Sequence, residues 1–133
     1  MTIGEYTIVP SLARFIKAHP NIDLHIRYGN TQMLLSYLRD GIIDFAIIEG
    51  YFQGDYYKTK IFKSEEYIAV ASANHVFEKP IHCLNDLKDE RLIIREHGSG
   101  TRAILTKTLA LKNMSMKDFR NLIEIENIHT IGV

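Results

Sequence analysis

The 133-residue sequence has little cysteine, no excess of charge of either sign and no long apolar run. It contains one cysteine, Cys83, so no internal disulfide can form, and we expect a reducing compartment. Its 16 basic and 16 acidic side chains cancel, which argues against a general nucleic-acid surface, because phosphate binding needs a basic excess. No apolar run approaches the roughly 20 residues of a bilayer span, and Met1 does not open a secretory signal pattern. These absences predict a cytoplasmic protein that has no membrane partner.

The composition is that of an ordinary globular chain, with 46% apolar and 24% charged residues. Its length allows one domain or two very small ones. The spacing of the apolar residues predicts helices and strands in alternation. The predicted helices span about 5–18, 31–40, 84–87 and 101–111, and a last helix begins at Asn127. The predicted strands lie at 22–28, 45–48, 57–62, 67–71, 92–95 and 122–125. This alternation predicts an α/β fold with a mostly parallel sheet and a subdomain crossing near 71–80.

Local signals refine several of these elements. Pro10 falls in the first turn of its helix, where the missing amide is tolerated. Asn30 or Thr31 can cap the next helix, and Gly41 occupies the usual C-terminal glycine position. Strand 22–28 alternates apolar and polar residues and should bury one face, whereas the continuous apolar run at 45–48 should be buried on both faces.

Four predicted strand-to-helix corners carry small hydroxyl, amide or glycine residues. They are Thr2-Ile3-Gly4, Gly29-Asn30-Thr31, Gly98-Ser99-Gly100-Thr101 and Glu126-Asn127. In open α/β sheets, ligands lie beyond the carboxyl ends of the strands, where free helix amides attract anions. The same residue types also serve as plain helix caps, so each corner is open to either interpretation. Only the Gly98–Thr101 turn exposes more backbone than a cap requires.

Arg102 follows that turn in the first turn of its helix, where a cation opposes the helix dipole. Its guanidinium could bind a carboxylate or sulfate with its fork of donors. It could equally be solvated or paired with Glu96. The sequence leaves both interpretations open.

The sequence contains no recognisable catalytic or metal-binding motif. Ser99 lacks the Gly-x-Ser-x-Gly spacing of a nucleophile elbow, and no Gly-Lys-Ser/Thr follows the glycines. His82 beside Cys83 has no second cluster with ligand spacing. Glu65 and Glu66 are neighbours in a strand and point to opposite faces. The sequence therefore predicts no enzyme, no cofactor and no metal site.

Several motifs together resemble the effector-binding domain of LysR-type transcriptional regulators. They are Thr2-Ile3-Gly4-Glu5-Tyr6 with its proline-containing helix to His19-Pro20, the strand into Gly29-Asn30-Thr31, Leu38-x-x-Gly41-x-x-Asp44 leading into 45–50, and Ile94-Arg95-Glu96-His97-Gly98-Ser99-Gly100-Thr101-Arg102. The last motif is the most specific. The resemblance covers essentially the whole chain, in order and with familiar spacing.

This resemblance implies two Rossmann-like subdomains of the periplasmic-binding-protein type, spanning 1–72 and 73–133, with a small effector in the cleft between them. The family is not enzymatic. The matching positions place these residues at or near the effector: Thr2, Thr31, Gly98, Ser99, Gly100, Thr101, Arg102 and Asn127. Family members form dimers or tetramers that hold DNA through winged helix-turn-helix domains. The form of the last motif looks most like members that govern sulfur or carbon assimilation.

The sequence departs from the family pattern at both ends. The DNA-binding domain, the linker helix and the strand before Thr2 are absent, and the family continues well past Asn127. We therefore expect an effector-binding domain that is incomplete at both ends. Two other functions stay open: a solute-binding protein of the same fold, and an α/β transferase that binds phosphate at Gly98–Thr101.

Overall fold

The structure of the chain is a computed structural model that describes residues 7–50 and 56–126. Residues 1–6, 51–55 and 127–133 lie outside it, and so do two expected site residues, Thr2 and Asn127. The elements of the described part are helix α1 (Val9–Ala18), helix α2 (Thr31–Arg39), strand β1 (Arg91–Arg95), helix α3 (Gly100–Leu111) and strand β2 (Asn121–Ile125). Two short 3₁₀ helices, Leu84–Leu87 and Met116–Asp118, precede β1 and β2.

The first two helices follow their sequence signals. Pro10 lies in the first turn of α1, as predicted, and α1 ends at Ala18. Asn30 is the N-cap of α2, and its Oδ1 accepts the Met33 amide at 3.0 Å. Gly41, at φ +69°, ends α2 with the Ile42 amide bonded to the Tyr37 carbonyl, which is the Schellman arrangement. The predicted cap and stop of α2 are both confirmed.

Helix α3 ends in the same way without a glycine. Asn113 has a φ of 54°, and the Met114 amide donates to the Leu109 carbonyl at 2.9 Å. Asparagine is one of the few residues that tolerate this left-handed conformation, because its short polar side chain can bond locally. The chain then turns through the 3₁₀ helix Met116–Asp118 into β2.

Strands β1 and β2 form a parallel pair in which Ile93 lies beside Ile123. Helix α3 connects them and packs on β1, so this part of the chain is a β-α-β unit. Its buried apolar residues are Ile94 of β1, Leu109 of α3 and Phe119, which lies two residues before β2. Leu109 is fully buried. The α/β prediction with parallel pairing is confirmed for residues 84–125.

The strands predicted at 22–28, 45–48, 57–62 and 67–71 are wrong: none of these segments forms a strand in the described chain. A strand exists only where a neighbour completes its backbone hydrogen bonds, and the described residues offer these segments no such neighbour. The predicted burial is also wrong, because Ile26 is 49% exposed and Phe45 is 72% exposed. Apolar spacing indicates which residues could form a strand, but it does not show which segment would pair with them.

Within the two described stretches, no helix combines the length and the apolar character that a membrane crossing requires.

The central position of Leu109 leads to a stability prediction. We expect Leu109→Ala to lower the free energy of unfolding by about 2–5 kcal/mol, because truncation of a fully buried side chain leaves a cavity. The matched control is Leu111→Ala two residues later, since Leu111 is 78% exposed. Urea unfolding followed by circular dichroism measures both. Equal losses in the two variants would contradict the described packing.

Candidate functional site

Three corners of the chain meet at one place in the structure. The first is the N-terminus of α2, the second is the turn at Glu49 and Gly50, and the third is the N-terminus of α3. The Thr31 hydroxyl donates to the Glu49 carbonyl at 2.9 Å, and the Gln32 amide donates to the Gly98 carbonyl at 3.1 Å. Both bonds join segments that are distant in sequence, so they fix the corners relative to one another.

Glycines make this approach possible. A Cβ atom at Gly100 would lie 1.9 Å from the Glu49 carbonyl oxygen and 2.9 Å from the Thr31 hydroxyl. A Cβ atom at Gly50 would lie 2.7 Å from the Gly100 backbone. Gly98 has a φ of +86°, a conformation that L side chains rarely adopt. The two glycines of Gly98-Ser99-Gly100 therefore allow close backbone contact between the corners, which a helix cap alone would not require.

The two helix N-termini at the site differ in what their amides contact. In α2, the Gln32 amide bonds to Gly98 and the Met33 amide bonds to the Asn30 side chain. In α3, the first amide with a partner is that of Ala103, which donates to the Ser99 carbonyl. The amides of Gly100 and Thr101 have no acceptor among the described residues. Free amides at the positive end of a helix favour an anion.

Ser99 occupies the N-cap position of α3 but does not cap it. The residue is only 4% exposed, and its hydroxyl accepts no hydrogen bond from the α3 amides. An N-cap serine usually uses its oxygen for that purpose. No other hydrogen bond of this hydroxyl occurs within the described residues, so it remains available to a ligand at the start of α3.

Glu96 joins the first and third corners through a hydrogen bond from Asn30, and it also forms an ion pair with its neighbour Arg95. Arg95 donates to both of its carboxylate oxygens, at 2.9 and 3.1 Å, and the Asn30 side-chain amide donates at 3.3 Å. Burial by itself raises the pKa of Glu96, but the hydrogen bonds from Arg95, its own backbone and Asn30 outweigh burial and lower that pKa. Glu96 is therefore a charged structural anchor beside the site.

Arg102 does not pair with Glu96, which was one of its expected partners. Its guanidinium donates to the Arg95 carbonyl at 3.1 Å and forms an ion pair with Glu124 of β2. These two contacts hold α3 on the β-sheet. A role of Arg102 as an effector ligand stays a prediction, and it would require this guanidinium to leave its present partners.

Glu49 and Tyr67, which were not predicted as site residues from the sequence, lie at the edge of the site. The Tyr67 hydroxyl donates to the Glu49 carboxylate at 3.1 Å and also interacts with the Thr101 hydroxyl. Burial, followed by the charge of Glu49, raises the pKa of Tyr67, so the phenol stays a donor. Gly50 after the apolar run at 45–48 signalled a corner, whereas nothing in the sequence near Tyr67 indicated its position.

An open groove of about 970 Å³ runs beside these residues, and Glu49, Gly50, Tyr67 and Ile104 line it. Its size suits a small molecule. Groups of three or more metal-binding side chains do not occur in the described stretches. The structure thus brings together Thr31, Gly98, Ser99, Gly100 and Thr101, and this arrangement of hydroxyls and amides is suited to binding an anion.

Comparison with known protein families gives one match over nearly the whole chain. A family described as the LysR substrate binding domain matches residues 1–132. No solved structure matches the chain.

Curated proteins with similar sequences are named as transcriptional regulators. HTH-type transcriptional regulator CysL of Bacillus subtilis is 32% identical over 87% of this chain and 39% of its own length. HTH-type transcriptional regulator CfxR of Cupriavidus necator is 31% identical over 78% of this chain and 33% of its own length. HTH-type transcriptional activator CmpR of Synechocystis is 29% identical over 87% and 38%, respectively. The chain thus spans less than two fifths of the length of these relatives.

The close approach of Gly100 to Glu49 leads to a second prediction. Gly100→Ala should lower the free energy of unfolding by about 3 kcal/mol or more, because the added methyl group meets a backbone carbonyl that cannot move alone. Gly41→Ala is the control: no atom lies within 4 Å of the added methyl group there, and only the positive φ is strained, at a cost of about 1–2 kcal/mol. Urea denaturation ranks the two. A smaller loss in Gly100→Ala would contradict the described contact.

The lowered pKa of Glu96 leads to a third prediction, about acid stability. A carboxyl group with a lower pKa in the folded state stabilises the fold above its unfolded pKa, and this contribution is lost as the pH falls through the folded pKa. Glu96→Gln should therefore flatten the loss of unfolding free energy below about pH 5. Glu65→Gln, in an exposed pair with Lys63, should leave that slope unchanged. Identical slopes of unfolding free energy against pH in the wild-type protein and Glu96→Gln would contradict a stabilising role of charged Glu96.

Proposed function

Because the chain belongs to the LysR substrate binding domain family, we propose that it senses a small metabolite for a transcriptional regulator. The metabolite is anionic, and its negative group binds the free amides at the start of α3 and the Ser99 hydroxyl. The observation that carries this proposal is the contrast between the bonded amides of α2 and the free amides of α3. Thr31, Gly98, Ser99, Gly100 and Thr101 form the site, and Thr2 and Asn127 complete it.

The proposal assigns the site to the boundary between two subdomains, 1–72 and 73–133. Thr31 and Glu49 come from the first segment, and Ser99 and Gly100 come from the second. Support comes from the bonds that cross this boundary, Gln32 to Gly98 and Asn30 to Glu96. An anion that contacts both segments stabilises the arrangement that holds them together, by its difference in affinity for the two arrangements.

In this proposal the DNA-binding response to the effector takes place outside this chain. The relatives are named as HTH-type regulators, and the chain covers less than two fifths of their length. We assign DNA binding to a helix-turn-helix domain elsewhere in such a protein, which acts in the cytoplasm as a homodimer or tetramer. The effector controls the arrangement of that oligomer on DNA.

A catalytic role is not part of the proposal. The Ser99 amide donates to the Glu96 carbonyl, which holds the backbone in place. A serine nucleophile requires an adjacent base, and no described base hydrogen-bonds to the Ser99 hydroxyl. The anion site therefore serves binding alone, without a cofactor or a metal.

The test is thermal unfolding with a panel of sulfate, phosphate, carboxylates and sulfur-containing metabolites. A ligand at a hundredfold excess over its dissociation constant adds about 2.7 kcal/mol to the unfolding free energy, which raises Tm by several degrees at this size. Ser99→Ala should keep the ligand-free Tm, since its hydroxyl has no partner to lose in the described part of the chain, and should weaken binding about 10–100-fold.

Ser115→Ala provides the matched control, because Ser115 also precedes a short helix but is exposed and distant in sequence from the three corners. It should leave the ligand-induced rise in Tm unchanged. A rise in Tm that is as large in Ser99→Ala as in the wild-type protein places the ligand elsewhere and rejects the proposed site. A cooperative transition that no member of the panel shifts rejects an anion-sensing function for this chain.

A further inference from the structure

The described part of the site contains a negative charge that an anion-binding site does not need. Glu49 is held against the start of α3, because its carbonyl oxygen touches the Gly100 backbone and accepts the Thr31 hydroxyl. Its carboxylate accepts the Tyr67 hydroxyl at 3.1 Å. The same Tyr67 hydroxyl interacts with Thr101 in the first turn of α3. One carboxylate and one phenol thus lie beside the free amides.

This carboxylate has no cationic partner among the described residues. The other described acidic groups around it are paired or distant in sequence: Glu65 pairs with Lys63, and Glu96 pairs with Arg95. Glu49 has only the neutral phenol, whose raised pKa keeps it protonated. The groove wall therefore carries a carboxylate without an ion-pair partner next to the start of α3, although Lys58 and Lys60 also line the groove.

A ligand that places an anion on α3 extends into the field of this charge. A second negative group there is repelled, whereas an ammonium group is attracted and can donate to the carboxylate. We infer that the site selects a zwitterion, an α-amino acid or a close derivative, whose carboxylate binds the α3 amides and Ser99 and whose ammonium group binds Glu49 with Tyr67 alongside. This inference rests on the proposed function and narrows its class of effector.

The distinguishing feature of this class is the ammonium group, so the probes are matched pairs that differ in it alone. They are L-alanine with propionate and L-glutamate with glutarate, and inorganic sulfate is the dianion without a donor. Isothermal titration calorimetry and thermal unfolding on the full 133-residue chain measure affinity. In the wild-type protein, each amino acid should bind at least tenfold more tightly than its deaminated partner.

Three variants separate the inference from the proposed function. Glu49→Gln should remove the preference for the amino acid by weakening that member of each pair tenfold or more, and it should bind propionate and sulfate at least as well as the wild-type protein does. Tyr67→Phe should weaken the amino acids less, because the carboxylate remains. Glu65→Gln is the control, a carboxylate of the same groove that is already paired, and it should change neither ligand class.

The possible failures differ. If propionate, glutarate or sulfate binds the wild-type protein as tightly as the amino acids and Ser99→Ala weakens that binding tenfold or more, the zwitterion inference is overturned and the anion site stands. Binding of amino acids that Glu49→Gln does not weaken also overturns the inference. Absence of binding by both amino acids overturns it as well, and the proposed function then depends on the other members of its own panel.

Discussion

The contact between the Gly100 backbone and the Glu49 carbonyl is the constraint on which the rest of the site depends. Because a single methyl group at Gly100 would come within 1.9 Å of that oxygen, only glycine lets α3 begin there. The bonds from Thr31 to Glu49 and from Gln32 to Gly98 require the same approach. Backbone proximity therefore positions the hydroxyls, the free amides and the Glu49 carboxylate together.

The site also shows how two similar sequence signals take different roles. Asn30 and Ser99 are both N-cap residues, and both fit ordinary capping rules. Asn30 caps α2 and also bonds to Glu96, so its polar groups are used by the fold. Ser99 is as well buried as the core and yet leaves α3 uncapped. No fully buried side-chain oxygen or nitrogen of the described residues lacks a partner, so the unpaired Ser99 hydroxyl reaches the accessible side of this corner, where a ligand can bond to it.

Local signals predicted the parts of the fold that local physics decides. The cap at Asn30, the stop at Gly41 and the limits of β1, α3 and β2 followed from propensity and spacing. Strand 22–28 failed because strands depend on partners that spacing does not reveal. The convergence of Thr31 with Ser99 came from the family resemblance. Gly50 marked a corner beside Glu49 but not its contact with α3, and the position of Tyr67 depends on tertiary contact and had no sequence signal. The sequence also did not indicate that Glu96 pairs with Arg95 and that Arg102 pairs with Glu124 instead.

The most direct test of the account is a titration with acetate or L-alanine followed by amide NMR of the ¹⁵N-labelled chain. A ligand anion at α3 should shift the amides of Gly100, Thr101 and Arg102 in a saturable way, because none of them has an acceptor in residues 7–50 and 56–126. The amides of Gln32 and Met33, which already bond within the protein, should shift much less. Saturable shifts centred on α2, or no saturable shift in α3 with either ligand, would contradict the account.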